Sequence, residues 1–164
     1  MPRMSLLWTL SGRGWADCVV ADDQTQAEAT ASYLTLAPDE LLTAVTRVVL
    51  YQGETRVQFE AEPTAFRWIF YREGDQVWVQ LLQLANGALH DKASTQIWSS
   101  WQTVDTVARA VIRAFDDLAA RHDTSLYHDK WGHSFPSAKL EQLRTAWRHY
   151  EPTADSEPGS GVAT

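Results

Sequence analysis

The stretch FRWIFYREGDQVWVQLLQL, residues 66–84, constrains the fold of this chain more than any other segment. Two alternating apolar runs flank Gly74-Asp75. Glycine in the first position supplies the positive φ that a two-residue type II′ turn requires. Such a turn fixes the register of the hairpin: Arg72 opposite Val77, Tyr71 opposite Trp78, Phe70 opposite Val79 and Trp68 opposite Leu81. Side chains alternate between the two faces of a strand. Trp68, Phe70, Val77, Val79 and Leu81 therefore share one face, assigned to the core. Arg67, Ile69, Tyr71, Trp78, Gln80 and Leu82 share the other.

The remaining elements are read outward from this hairpin. Residues 5–10 and 15–21 form two strands joined by Ser11-Gly12-Arg13-Gly14, whose glycines permit a tight turn. Residues 26–33 alternate, with Ala27, Ala29, Ala31 and Tyr33 on one side, and the alanines leave room for close approach. A helix opens at Pro38, where proline costs no hydrogen bond, and carries Leu41, Leu42, Val45, Val48 and Val49 as its apolar stripe. Gly53 is its expected stop. Residues 55–62 are a further strand, Asn86-Gly87 marks a turn, and residues 94–101 form a weaker strand. A long helix spans residues 104–121 with Thr103 or Asp105 as its cap. Residues 123–135 read as a loop, and Pro136 opens a last helix with Leu140, Leu143 and Trp147 on one stripe.

The order is βββα, then βββ(β)α, then α. It predicts an α+β fold: a two-layer sandwich in which helices cover one face of a single antiparallel sheet of six or seven strands. Residues 1–150 make one domain. Residues 151–164, rich in Pro, Gly, Ser and acid, are expected to be a disordered acidic tail.

Composition limits the function. The chain of 164 residues carries a formal charge of −7. Glu151, Asp155 and Glu157 lie in the tail with no base beside them, leaving a modest net acidity on the rest. That balance argues against binding nucleic-acid phosphates, which takes clustered Lys and Arg. Cys18 is the only cysteine, so no internal disulfide forms and a cytoplasmic location is the simplest expectation. No signal peptide opens the chain and no apolar stretch reaches membrane-spanning length, so no membrane partner is expected. Trp is abundant, with eight residues. Each indole N–H wants an acceptor, which places several of them at the rim of the core or on a surface that meets something else.

Sites with chemistry are weighed against plainer readings. His122, Asp123, His128, Asp129 and His133 include metal-ligating types, but their gaps match no zinc spacing, and a polar surface loop is favoured. No cofactor is implied. Cys18 sits in an alternating strand as a buried, inert thiol. Ser99-Ser100 lacks a nucleophile elbow, and His90-Asp91 are mere sequence neighbours, so neither points to acyl transfer. Glu60 and Glu62 share a strand face with Arg56, Gln58 and Arg67, which reads as cross-strand charge pairing. Lys130-Trp131-Gly132-His133-Ser134-Phe135-Pro136 reads as a segment whose aromatics pin the last helix to the sheet edge.

The second face of the hairpin is the main candidate. Arg67, Ile69, Tyr71, Trp78 and Gln80 combine the residue types that dominate interface hot spots. The segments WTLSGRGWADCVV, TASYLTLAPDELLTAV, FRWIFYREGDQVWVQLLQL and KWGHSFPSAKLEQL together resemble a group of small uncharacterised bacterial proteins. In composition and architecture the chain is also similar to immunity proteins of polymorphic toxin systems. That resemblance implies neutralisation of a cognate toxin by binding it and assigns no residue. The leading expectation is a non-enzymatic protein-binding module, with toxin immunity as its specific form. Two rivals stand beside it. One is a small-molecule binder or small hydrolytic enzyme with a pocket between sheet and helices, using His128 or His133. The other is a structural homodimer that pairs its sheets.

Overall fold

The computed structural model describes residues 3–152. The elements follow the order β1 (Ser5–Gly12), β2 (Trp15–Ala21), β3 (Gln26–Ser32), α1 (Ala37–Leu50), β4 (Gly53–Glu60), β5 (Ala65–Glu73), β6 (Gln76–Leu84), β7 (Thr95–Thr103), α2 (Val104–Arg121), α3 (Thr124–Trp131) and α4 (Ser137–Arg148). The α+β class agrees with expectation, but the single sheet does not. The strands form two antiparallel sheets, β1-β2-β3 and β4-β5-β6-β7. The physical reason lies in the faces. Each sheet has one apolar face, and laying one over the other buries both. β3 meets β4, β5 and β7 of the larger sheet without extending its ladder. Ala29 and Ala31, both fully buried, provide the close approach at this crossing.

Trp8 of β1 is the wedge between the layers. Its ring lies 5.5 Å from Phe59 of β4 and 5.5 Å from Phe115 of α2. Phe59 meets Trp68 edge-on at 6.2 Å, and Trp68 stacks on Phe70 at 6.0 Å. The hairpin register matches the one its turn predicts, and Trp68, Phe70, Val77, Val79 and Leu81 are all enclosed. Among the described residues, the buried indole N–H groups of Trp8, Trp68 and Trp131 have no protein acceptor. Trp15, Trp78, Trp101 and Trp147 sit at the rim or surface, as expected of several indoles, whereas these three lie in the core with their donors unmet. Magnitudes explain it: burying ~150–250 Å² of indole is worth roughly 4–6 kcal/mol, against about 1–3 kcal/mol for one orphaned donor.

The helices cover what the sheets leave. α1 packs on β4 and β5, α2 lies against β1, β6 and β7, and α4 rests on both helices. Thr103 caps α2, accepting from the Thr106 amide at 3.1 Å. α1 ends at Leu50, earlier than Gly53, which instead begins β4. Arg72 secures that end. Its guanidinium donates to the carbonyls of Val48 and Val49 at 2.9 and 2.8 Å, and lies 5.5 Å from the Tyr150 ring.

Residues 123–135 are not simply a loop. Asp123 accepts from the Leu126 amide at 2.7 Å and starts α3, and Gly132 ends it in the left-handed region at φ 102°. Only Tyr127 and Trp131 of this helix are buried, so its apolar periodicity is too sparse to announce it. β4 ends at Glu60, which leaves Glu62 outside the strand in the turn before Pro63. Tyr33 lies beyond the end of β3 and is exposed, so it does not continue the buried row of Ala29 and Ala31 as the alternation predicts. Of the expected tail, residues 153–164 lie outside the described residues.

If the Trp8 wedge joins the layers, Trp8→Ala lowers stability by about 3–5 kcal/mol in urea unfolding, the range for large aromatic truncations in a core. A loss below about 1 kcal/mol would show that the sheets are held together elsewhere.

Candidate binding face

The outer face of the larger sheet is the side turned away from the core. The ladders arrange it in rows, each taking one residue from each of four strands. One row is Glu54, Tyr71, Trp78, Trp101, and the next is Arg56, Ile69, Gln80, Ser99. The face is divided in two by the connection between β6 and β7, residues 85–94.

That connection folds back over one half. Asp91 is bound by two arginines from different strands, Arg56 and Arg67, the latter at 2.8 Å. Arg67 also donates to the Gln58 side chain at 2.8 Å, and Gln58 donates to the Gly87 carbonyl at 3.1 Å. The loop backbone at Gly87 runs so close to β4 that an added Cβ would stand 2.1 Å from the Glu60 carboxylate. Beneath the loop Ala65, Ile69, Leu82 and Leu84 form a second, small apolar cluster with Leu89 against it. Ile69 is only 5% exposed. Arg67 and Ile69, two of the five residues predicted to meet a partner, are thus engaged by the chain itself. The expected cross-strand charge pairing of Glu60 and Glu62 is not what forms: Glu60 accepts from Gln58 of its own strand at 2.8 Å, Glu62 lies beyond the strand, and the arginines reach Asp91, Gln58 and Glu54 instead.

The other half is open. Tyr71 is 44% exposed and Trp101 is 43% exposed, with half-buried Trp78 between them in the row. The Trp78 and Trp101 rings lie 5.3 Å apart. Gln80 is half-buried and donates to Gln96 at 2.8 Å. Glu54 closes the row at the β4 side, paired with Arg56 at 2.7 Å. Sequence reading missed Trp101. A signal for it existed: Trp98 and Trp101 are an odd number of residues apart and must face opposite ways in a strand. Trp98 is indeed buried on the inner face, with its N–H donating to the Thr25 carbonyl at 3.3 Å.

The other candidates resolve into structural roles. Burial raises the Cys18 thiol far above its ordinary value, and nearby Asp17 and Glu28 raise it further. Asp123 is a helix cap, and His133 contacts the Tyr33 carbonyl at 2.7 Å. Tyr33 in turn packs over Gly14 and Gly132, where a Cβ would come within 2.6 and 3.5 Å of its ring. The Gly14 amide donates to the Lys130 carbonyl at 2.8 Å. The WGHSFP segment therefore fastens α3 to the β1–β2 turn, with Trp131 fully buried and Phe135 edge-on to Tyr127. Among the described residues, no three His, Cys, Asp or Glu side chains stand close enough to share a metal ion, and no helix is long and apolar enough to cross a membrane. A groove of about 760 Å³ runs between the end of α1 and α4, floored by Arg72. Neither His128 nor His133 lines it.

Comparison of the chain with models of protein families, with curated proteins and with solved structures yields no match.

The Asp91 latch has a definite pH dependence. Hydrogen bonds from Arg56, foremost, and Arg67 hold its carboxyl down to about 2, below the ordinary 3.8. The ionised form is favoured in the folded state, so its contribution is complete above pH ~4 and is lost as pH falls toward 2. Between those values the urea midpoint of the wild type should fall further than that of Asp91→Asn. The variant should also be cut within residues 85–94 by a protease at neutral pH where the wild type resists. Equal falls and equal resistance would remove the latch from the account.

Proposed function

We propose that this chain is a protein-binding module whose partner docks on the row Tyr71, Trp78 and Trp101, and that its specific form is toxin immunity: neutralising a cognate bacterial toxin in the cytoplasm by binding it. The observation that carries the reading is the row itself. Three large aromatics lie side by side on adjacent strands, two of them well over a third exposed. Single exposed aromatics are ordinary, whereas contiguous ones on a rigid support mark contact surfaces. Tyr and Trp also lead the residues at which truncation costs a complex most.

The chemistry of the partner follows from the charge. The chain carries −7 overall, and Glu54 and Glu73 are exposed at the rim of the row. A partner that lays Arg or Lys over the indole faces would gain cation–π contact there and electrostatic steering at long range. The immunity form rests on the resemblance in composition and architecture. Nuclease inhibition is its least supported version, because the face is aromatic and the carboxylate within the row, Glu54, is already paired with Arg56.

The test begins with the product of the adjacent gene, co-expressed and co-purified. Titration calorimetry then compares the wild type with Tyr71→Ala, Trp78→Ala and Trp101→Ala. Each is expected to weaken binding by roughly thirtyfold, about 2 kcal/mol, the threshold of a hot spot. Gln142→Ala, on α4, should leave affinity unchanged. Full affinity in the triple variant would place the interface elsewhere.

A further inference from the structure

We propose that β7 is a pairing edge, through which two copies of this chain join their larger sheets into one continuous antiparallel sheet. This inference rests on the strand edge and not on the partner reading above, with which it shares Trp101.

Among the described residues β7 has one ladder neighbour, β6. The direction of its free groups follows from one bond. The Val104 amide donates to the Asp75 carbonyl at 3.0 Å, and these residues continue the β6–β7 register. In an antiparallel ladder, hydrogen-bonded and non-hydrogen-bonded pairs alternate. The pairs Val77–Gln102 and Val79–Ser100 therefore exchange bonds with β6, while Ser99, Trp101 and Thr103 aim their backbone N–H and C=O groups away from it. The contacts of β7 with the smaller sheet run instead through inner-face side chains: Trp98 to the Thr25 carbonyl and Gln102 to the Met4 amide.

Edges of this kind are normally blunted by charge, by proline or by a covering element. The opposite edge, β4, has such protection: it carries Glu54, Arg56 and Glu60 and packs against α1. β1 is flanked by α2 and α3, and β3 lies against the larger sheet. β7 reads TQIWSSWQT, with no charge and no proline over nine residues. Its one irregularity is the register shift opposite Leu81 and Leu82, which leaves the run from Trp98 onward regular.

Donors and acceptors at strand spacing accept only another extended backbone. A two-fold contact presents the same surface from both sides. β7 suits both sides of such a contact: uncharged residues face uncharged residues, and Trp101 of each copy is covered by the other. The net charge of −7 opposes the approach. Those acids lie off the strand, and screening over a Debye length of about 8 Å at physiological salt weakens the repulsion.

The test is molar mass by light scattering over a wide concentration range, with amide hydrogen exchange alongside. The wild type should reach twice the mass of one chain, more readily at higher salt, with the Ser99 and Trp101 amides protected only in the dimer. Ser99→Pro removes an N–H that β6 does not use and should give a folded single chain. Trp101→Lys, a change at an exposed side chain, should do the same and decides the matter if the proline variant fails to fold. A wild type that stays a single chain throughout overturns the proposal. So does a dimer that persists in Trp101→Lys with its edge amides still exchanging freely. Edge amides protected only by a different protein would assign β7 to that protein and overturn self-pairing, leaving the partner reading standing.

Discussion

The contact of Trp8 with Phe59 and Phe115 is the constraint on which the remaining architecture depends. It joins three elements that share no hydrogen-bond ladder: a strand of the smaller sheet, the edge strand of the larger one and the long helix α2. Dispersion and area burial hold the rings together, since among the described residues the Trp8 N–H has no protein acceptor, and Arg121 of α2 adds a hydrogen bond to the Trp8 carbonyl. The column continues through Trp68 to Phe70, at the centre of the hairpin. Once these rings are stacked, the inner face of β5 is committed, and strand alternation commits the outer face with it.

Tyr71 points outward because Phe70 and Arg72 point inward, to the core and to the end of α1. Trp78 points outward because Val77 and Val79 are sealed. A row positioned in this way is preorganised, so contact with it costs little conformational entropy. The loop of residues 85–94 then sets the row's extent. By satisfying Arg67 and covering Ile69 and Leu82, it turns half of a mixed face into a local core and leaves the aromatic half as the accessible remainder.

Much of this was legible in the sequence where one local rule decided the outcome. The turn at Gly74-Asp75 dictated the hairpin register, and periodicity with the Thr103 cap dictated α2. What stayed hidden depended on partners distant along the chain. Alternation tells which side chains share a face, but not which sheet a strand joins, so the division after β3 was invisible. Asp91 pairs with residues 24 and 35 positions away, and nothing in its neighbourhood, His90 and Lys92, announces that it closes a loop over the sheet. α3 lies between these cases. Its caps, Asp123 and Gly132, were readable, but its polar surface outweighed them. Trp101 was missed because no short turn ties β7 to β6.

The two edges of the larger sheet differ in a way that its interior does not require. Either β4 or β7 would pair with its inner neighbour equally well with charged or uncharged residues on the outer face, since that face is not sealed by the main core. Yet charges are concentrated on β4, where two of them, Arg56 and Glu54, join the network around Asp91, and are absent from β7, which carries Trp101 instead. Polarity therefore falls across the face from β4 to β7, and the latched half and the aromatic half lie at opposite corners of this gradient. Internal closure uses the charged side. The uncharged side, where the aromatic row adjoins a backbone edge that is unpaired among the described residues, is where contact with another chain has most to gain from desolvation and least to lose.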